Sequence, residues 1–169
     1  MPVPSAAETV RALSLSPHPE GGHYRQTYCA DEAIADDALP ARYDGARAHA
    51  TAIYFLLAAG EVSHLHRLAS DEVWHFYRGT SLVVHVLAPD GRHVAHRLGH
   101  NTTHGEVCQL VVPRGHWFGA ELAAPDGYAL VGNTVAPGFD FADFELARAD
   151  DLAAAFPQHA ELIQRLSAR

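Results

Sequence analysis

The sequence predicts an all-β domain, a sandwich or a closed barrel, flanked by short helices. Short apolar runs with β character recur through the middle of the chain, with turn signals about every 8–12 residues. Helical patterns occur only towards the two ends. The predicted strands cover 23–29, 51–58, 72–79, 81–88, 92–98, 106–113, 116–122 and 128–135. Two Ala-Pro-Asp-Gly turns, at 88–91 and 124–127, separate neighbouring strands.

The length of 169 residues suits one domain, because a second full core would be hard to build from so short a chain. We therefore expect a single domain over 1–169, with a barrel core at about 48–146 and a helical segment at 148–169. Ser5 and Glu8 form a capping-box pattern, which predicts a short helix within 5–14.

Composition and charge exclude several classes of partner. The net charge is -8, and the 12 basic residues are all arginines scattered along the chain, which argues against a nucleic-acid partner. No apolar run approaches the roughly 20 residues that cross a bilayer, so no membrane partner is expected. The N-terminus lacks a basic region followed by an apolar one, so we expect no signal peptide and a cytoplasmic protein.

The segment between Gly60 and Gly79 holds the most informative side chains. His64 and His66 are two residues apart, so on a strand both point to the same face. Glu72 falls on the next strand, sharing a face with Trp74. Two imidazoles and a carboxylate inside a barrel could bind a divalent metal or serve proton transfer, and the pattern leaves both open.

This segment resembles the first motif of the cupins: His-x-His, a downstream glutamate, and six further residues before a glycine. The segment 111–118 stands where the second cupin motif belongs. More specifically, the chain is similar to the cupin subfamily known as cupin-5 or DUF985. The matching stretches are 18–28, 51–57, 63–79, 98–101, 105–118 and 135–146. The resemblance implies a double-stranded β-helix, the jelly-roll barrel of the cupins.

The chain departs from metal-binding cupins in its candidate ligands. Phe118 occupies the position of the histidine that is their fourth ligand. Five residues separate His66 from Glu72, where metal cupins have three or four. In the resembled subfamily the His64 position is variable. We therefore favour a pocket without a metal or other cofactor, and keep a metal held by His64, His66 and Glu72 as the alternative.

We expect the barrel to bind a small polar metabolite. By analogy with metal-free sugar-nucleotide epimerase cupins, the candidate chemistry is isomerisation or epimerisation of a sugar-like or nucleotide-linked compound. His66 would be the base, Glu72 its orienting partner and Tyr54 the acid. The expected ligand-binding residues are His64, Arg67, Gln109, Trp117 and Phe118. Arg67 reaches an anionic ligand or instead pairs with Asp71.

Two alternatives belong to other classes: a metal-dependent dioxygenase or isomerase, and a non-enzymatic sensor or interaction module. We also expect a homodimer, in which the early strand at 23–29 is exchanged between subunits and hides an edge.

Overall fold

The computed structural model describes residues 4–168, and in this range it is a jelly-roll barrel of antiparallel sheets with short helices. The predicted fold class is thereby confirmed. The ends of the predicted domain, residues 1–3 and 169, lie outside the described residues. Within that range, no helix has the length and hydropathy needed to cross a membrane.

Thirteen strands are present in the described range. They are β1 (Ser16–Pro17), β2 (His23–Cys29), β3 (Ala33–Ile34), β4 (Arg47–Ala48), β5 (Thr51–Ala58), β6 (Val62–Leu68), β7 (Asp71–Gly79), β8 (Leu82–Leu87), β9 (His93–Leu98), β10 (Gln109–Val112), β11 (Trp117–Leu122), β12 (Tyr128–Ala136) and β13 (Phe144–Leu146). One sheet has the order β1-β2-β5-β12-β7-β10, and the other has the order β13-β6-β11-β8-β9. Strands β3 and β4 form a separate pair.

The main core fills the space between the two large sheets. Strand β7 shows how residues alternate between this core and the outer face of the sheet. Its inward-pointing residues, Glu72, Trp74 and Phe76, are 7%, 1% and 6% exposed, and the residues between them are more exposed. This alternation is the period of two that a strand imposes. From the other sheet, Phe118 and Val84 meet this face and complete an apolar core.

Helix α1 (Ala6–Ala12) begins at the capping box of Ser5 and Glu8, as predicted. It packs outside the six-stranded sheet, against a cluster that includes Tyr128 and Leu130. Helices α2 (Ala149–Ala155) and α3 (Ala160–Arg165) cover the outer face of the other sheet through Leu152 and Ile163.

The turn between β1 and β2 folds onto the barrel at residues 18–22. Gly21 and Gly22 both have positive φ, at 102° and 69°. A Cβ atom on Gly21 would overlap the carbonyl oxygen of Val62, so glycine is required there both for its backbone conformation and for close approach. The backbone N–H of His64 donates to the carbonyl of Glu20 at 2.7 Å. The turn is thereby fixed against β6.

The segment after β12 closes one side of the barrel. It carries Phe139, Phe141 and Phe144, whose rings contact one another edge to face, with centroids 5.0 to 6.2 Å apart. Asp143, within this segment, forms an ion pair with Arg47 of β4. The apolar rings and the ion pair together hold the segment over the space between the sheets.

Candidate functional site

A cavity of about 340 Å³ opens between the sheets. Its polar side is formed by His18, Glu20, His66, Glu72 and Asn133. Its remaining walls, largely apolar, are formed by Tyr24, Gln26, Thr51, Ile53, Phe55, Leu68, Val135, Phe139, Asp140 and Phe141. Enclosure by apolar walls with a few converging polar groups is typical of a small-molecule site.

Glu20 and His66 form the central pair of the polar side. His66 Nδ1 lies 2.7 Å from the carbonyl oxygen of His64, which can only accept, so Nδ1 carries a proton. Nε2 of His66 faces Oε2 of Glu20 at 3.2 Å. Ser63 donates to Oε1 of the same carboxyl at 2.8 Å. With Nδ1 protonated, Nε2 of a neutral imidazole can only accept, and so can the oxygen of an ionised carboxyl. A hydrogen bond between Nε2 and Oε2 therefore requires one further proton, on either atom.

Burial sets the protonation of this pair. It raises the pKa of Glu20 to about 8, against the Ser63 hydrogen bond, which favours the ionised form. Burial also lowers the pKa of His66 to about 4, because the charged imidazolium is poorly solvated there. At neutral pH the pair therefore retains one proton and carries no net charge.

Aromatic rings fix the orientation of the His66 imidazole. Its centroid lies 4.1 Å from that of Phe118 and 5.2 Å from that of Phe144. His18 approaches from the β1–β2 turn, with Nδ1 3.5 Å from Oε2 of Glu20. The backbone N–H of Glu20 donates to the same Nδ1 at 3.2 Å. Burial, and secondarily the neighbouring His66, lowers the pKa of His18 to about 4, so it is neutral at neutral pH.

Glu72 forms the second polar corner of the cavity. Trp74 Nε1 donates to its Oε2 at 3.1 Å. Burial raises the pKa of Glu72 to about 8, the nearby Glu20 carboxyl raises it further, and hydrogen bonds from Trp74 and Asn133 oppose the rise. Asn133 is 3% exposed, and its Oδ1 has no hydrogen-bond partner.

The structure thus brings two of the predicted catalytic residues, His66 and Glu72, to one cavity. It differs from the prediction in the partner of the imidazole. Glu20, not Glu72, lies at hydrogen-bonding distance from His66. Glu72 is directed instead to Trp74, its neighbour on the same face of β7.

Tyr54 and Gln109 were wrongly expected to line the cavity. On β5 the residues that line it are Thr51, Ile53 and Phe55, so alternation places Tyr54 on the outer face of the sheet. There its ring meets Tyr77, with centroids 6.0 Å apart. Gln109 is also on the outside, where its amide donates to Nδ1 of His75 at 3.0 Å.

The other four expected ligand-binding residues do not line the cavity either. Arg67 pairs with Glu145 at 2.7 Å rather than with Asp71, and its guanidinium lies 4.6 Å from the ring centroid of Trp117. Trp117 packs with the C-terminal helices. Phe118 lies in the core, where its ring contacts the imidazole of His66. The imidazole of His64 lies next to Gly21 of the turn.

The alternative metal set of His64, His66 and Glu72 does not converge. His64 is outside the cavity, and burial lowers the pKa of its imidazole. Between residues 4 and 168, no three His, Cys, Asp or Glu side chains are arranged to hold a metal ion. The arrangement of donor side chains in the described part of the chain therefore does not fit the metal centre of the metal-binding cupins.

Sequence reasoning missed His18, Glu20 and Asn133. Glu20 precedes Gly21-Gly22, a pair of glycines that is typical of a turn. An acidic residue beside two glycines, in a stretch that matches the resembled family, was the available signal. Asn133 shares a face of β12 with Val131 and Val135. A polar amide on an otherwise apolar face is a comparable signal of a site.

The barrel, its inward-facing His66 and Glu72, and its enclosed cavity define a cupin. Residues 7–147 match the family model described as Cupin superfamily (DUF985). The chain belongs to this family.

Similar proteins occur in bacteria and eukaryotes. Protein SO0799 of Shewanella oneidensis is 40% identical, with a TM-score of 0.89 over 98% of this chain and 99% of that one. A hypothetical protein from Leishmania major is 32% identical, with a TM-score of 0.89 over 98% and 100%. The uncharacterized protein YML079W of Saccharomyces cerevisiae is 29% identical over 89% of this chain and 80% of its own length.

The fold extends to cupins of more distant sequence. Oxalate decarboxylase of Bacillus subtilis is 20% identical, with a TM-score of 0.52 over 89% of this chain and 36% of that one. At this identity the likeness concerns the fold alone.

Proposed function

We propose that this protein binds a small metabolite in the barrel cavity and moves a proton on it, as an isomerase- or epimerase-like enzyme. The observation that carries the proposal is the buried contact between Glu20 and His66, 3.2 Å apart on the cavity wall. Burying two ionisable groups costs free energy, so their presence beside an enclosed cavity favours a functional role.

The pair suits acid–base chemistry near neutral pH. Proton transfer is most efficient when the pKa of the catalytic group lies near the working pH, and the Glu20 carboxyl has a pKa of about 8. His66 Nε2 accepts a proton from a ligand carbon while Glu20 Oε2 returns one to the ligand. The proton on Nε2 then passes to Oε2, 3.2 Å away, so one proton has entered the pair, one has left, and the starting state is restored.

The cavity lining narrows the ligand class. None of the described residues that line it is an arginine, and the sequence contains no lysine. A diphosphate would therefore meet no cation in the cavity. The lining therefore argues against a nucleotide-linked ligand. We propose instead a compact molecule with an apolar surface and a few polar groups.

A metabolite-capture experiment in deuterated water tests the proposal. The protein is incubated with a metabolite extract in D₂O and repurified, and the compounds it retains are identified by mass spectrometry. We expect the wild-type protein to enrich a compound and to incorporate deuterium at one of its carbon atoms. Glu20→Gln and His66→Gln should abolish the incorporation, because each removes one half of the pair.

Tyr54→Phe is the matched control, because Tyr54 lies on the outer face of the sheet. It should retain both the ligand and the deuterium incorporation. Failure of the wild-type protein to enrich any compound would reject the binding site. Enrichment without deuterium incorporation would reject the enzyme and leave a sensor.

A further inference from the structure

The cavity presents carboxyl groups to a ligand, and none of its described lining residues is positively charged. Three carboxyl side chains line it, those of Glu20, Glu72 and Asp140, and no arginine is among the described lining residues. The two histidines that line it, His18 and His66, are neutral at neutral pH because burial lowers the pKa of each to about 4. A ligand with an anionic group would therefore find no opposite charge here, whereas a bound cation would be stabilised by ionisation of a carboxyl group.

The cavity also has a surplus of hydrogen-bond acceptors. Asn133 Oδ1 is buried without a partner, in a side chain that is 3% exposed and lines the cavity. Leaving a buried acceptor unpaired costs free energy, which a donor on a ligand would recover. The adjacent Glu72 carboxyl supplies further acceptor capacity. By contrast, the carboxyl of Glu20 is already engaged by Ser63 and His66.

Aromatic rings form much of the remaining wall. Tyr24 and Phe55 line it from the sheet, and Phe139 and Phe141 line it from the segment after β12. The face of an aromatic ring attracts a cation, and the same rings accept an apolar body. Phe141, which lines the cavity, is 52% exposed.

We infer that the ligand is a small organic ammonium compound, whose –NH₃⁺ group is bound by Glu72 and Asn133 while its apolar body lies against the aromatic wall. This inference rests on the proposed function, because it names the ligand class of the same cavity. It leaves Glu20 and His66 free for the proton transfer and assigns Glu72 to recognition.

The protonation of Glu72 supplies a second signature. Burial and the neighbouring Glu20 raise its pKa to about 8 in the empty cavity, and a bound ammonium favours the ionised form. At neutral pH, binding should therefore release about one proton. The other titratable groups facing this corner are His18 and Glu20 from the turn, His66 from β6, Tyr24 from β2 and Asp140 after β12.

Three probes with one ring and different charges test the inference. Benzylammonium, benzyl alcohol and benzoate are titrated into the protein at neutral pH by calorimetry, in two buffers of different ionisation enthalpy. We expect benzylammonium to bind at least about tenfold more tightly than benzyl alcohol, with proton release, and benzoate to bind least. Glu72→Gln should remove both the preference and the proton release. Glu32→Gln, which changes the same charge at an exposed position, should retain both.

The inference is overturned if the alcohol or benzoate binds as tightly as the ammonium, or if Glu72→Gln leaves the preference intact. It is equally overturned if benzylammonium fails to bind at about 10 mM, a concentration that would reveal even weak affinity. The proposed function is judged separately, by capture of a metabolite and its deuteration. A captured compound that carries no ammonium group would reject this inference alone.

Discussion

Arg47 of β4 and Asp143 of the segment that closes the cavity form an ion pair with two hydrogen bonds. Nε and one terminal nitrogen of Arg47 donate to the two carboxylate oxygens of Asp143, each at 2.7 Å. The two side chains are only 4% and 6% exposed. Removing one partner of such a pair leaves a buried charge uncompensated.

We therefore expect Asp143→Asn to lower the free energy of unfolding by about 3 kcal/mol, measured by urea denaturation. Glu145→Gln is the matched control, because it breaks the exposed pair with Arg67, whose side chains are 42% and 56% exposed. That change should cost less than about 1 kcal/mol. Equal losses in the two variants would contradict the structural role of the buried pair.

The titrating groups of the cavity predict how stability depends on pH. Between pH 6.5 and 8, Glu20 and Glu72 keep their protons in the folded protein, whereas unfolded carboxyls, with a pKa of 4.5, have lost theirs. The folded state binds more protons, so stability falls as pH rises through this window. Each carboxyl contributes as much as about 2 kcal/mol to the fall.

Below pH 6.5 the histidines act in the opposite direction. His18 and His66 have a pKa of about 4 in the folded protein and 6.5 when unfolded, so their contribution rises with pH from about 4 to 6.5. Glu20 and Glu72 already lower stability with rising pH from about 4.5, and this offsets the two histidines. We therefore expect stability to change little between about pH 4.5 and 6.5 and to fall above pH 6.5. Thermal or urea unfolding across pH checks this, and Glu72→Gln should halve the decline above pH 6.5. An unchanged slope in that variant would show that Glu72 does not titrate there.

The turn that carries Glu20 depends on glycine. Gly21→Ala should destabilise the protein by more than Gly60→Ala. Both positions have positive φ, at 102° and 81°, but only at Gly21 would the new Cβ meet backbone atoms. Gly60→Ala should cost about 1 kcal/mol, from backbone strain alone. Equal unfolding free energies in the two variants would mean that the turn moves freely away from β6.

Phe118 and Trp117 are neighbours on opposite faces of β11. Phe118→Ala removes a ring that is 1% exposed and lies against His66, so it should cost about 3 kcal/mol or more and weaken ligand retention. Trp117→Ala acts outside the barrel and should leave ligand retention unchanged. Unfolding and metabolite-capture measurements on both variants check this. Loss of ligand in Trp117→Ala would mean that the outer face contributes to the site.

The homodimer stays a prediction. Strand β2 pairs with β5 of its own chain, and its residues 25–29 are exposed. Light scattering should give twice the 18.3 kDa mass of the chain. A monomeric mass would reject both the dimer and the strand exchange.

Strand patterns and turn spacing predicted an all-β sandwich or barrel, and the resemblance to the cupins indicated the jelly roll. Alternation within the strand placed Glu72 on the same face as Trp74. The sequence pattern could not identify Glu20 as the partner of His66. Glu20 lies in a turn that is 43 residues before Ser63, on the strand of His66, and only tertiary contacts bring the turn to that strand. Tyr54 was misplaced for a related reason. The run 51–58 is apolar throughout, so hydrophobicity alone does not reveal which of its faces is inward.

The hairpin of β1 and β2 carries one member of the central pair, and the barrel carries the other. Displacement of the turn at residues 18–22 alone would therefore separate the pair while the strands stay paired. A protein whose turn had moved away from β6 would still give the circular dichroism of a β-barrel, yet its imidazole at position 66 would no longer face a carboxyl. Spectroscopic evidence of folding is thus insufficient to establish that the contact between Glu20 and His66 is formed in a preparation of this protein.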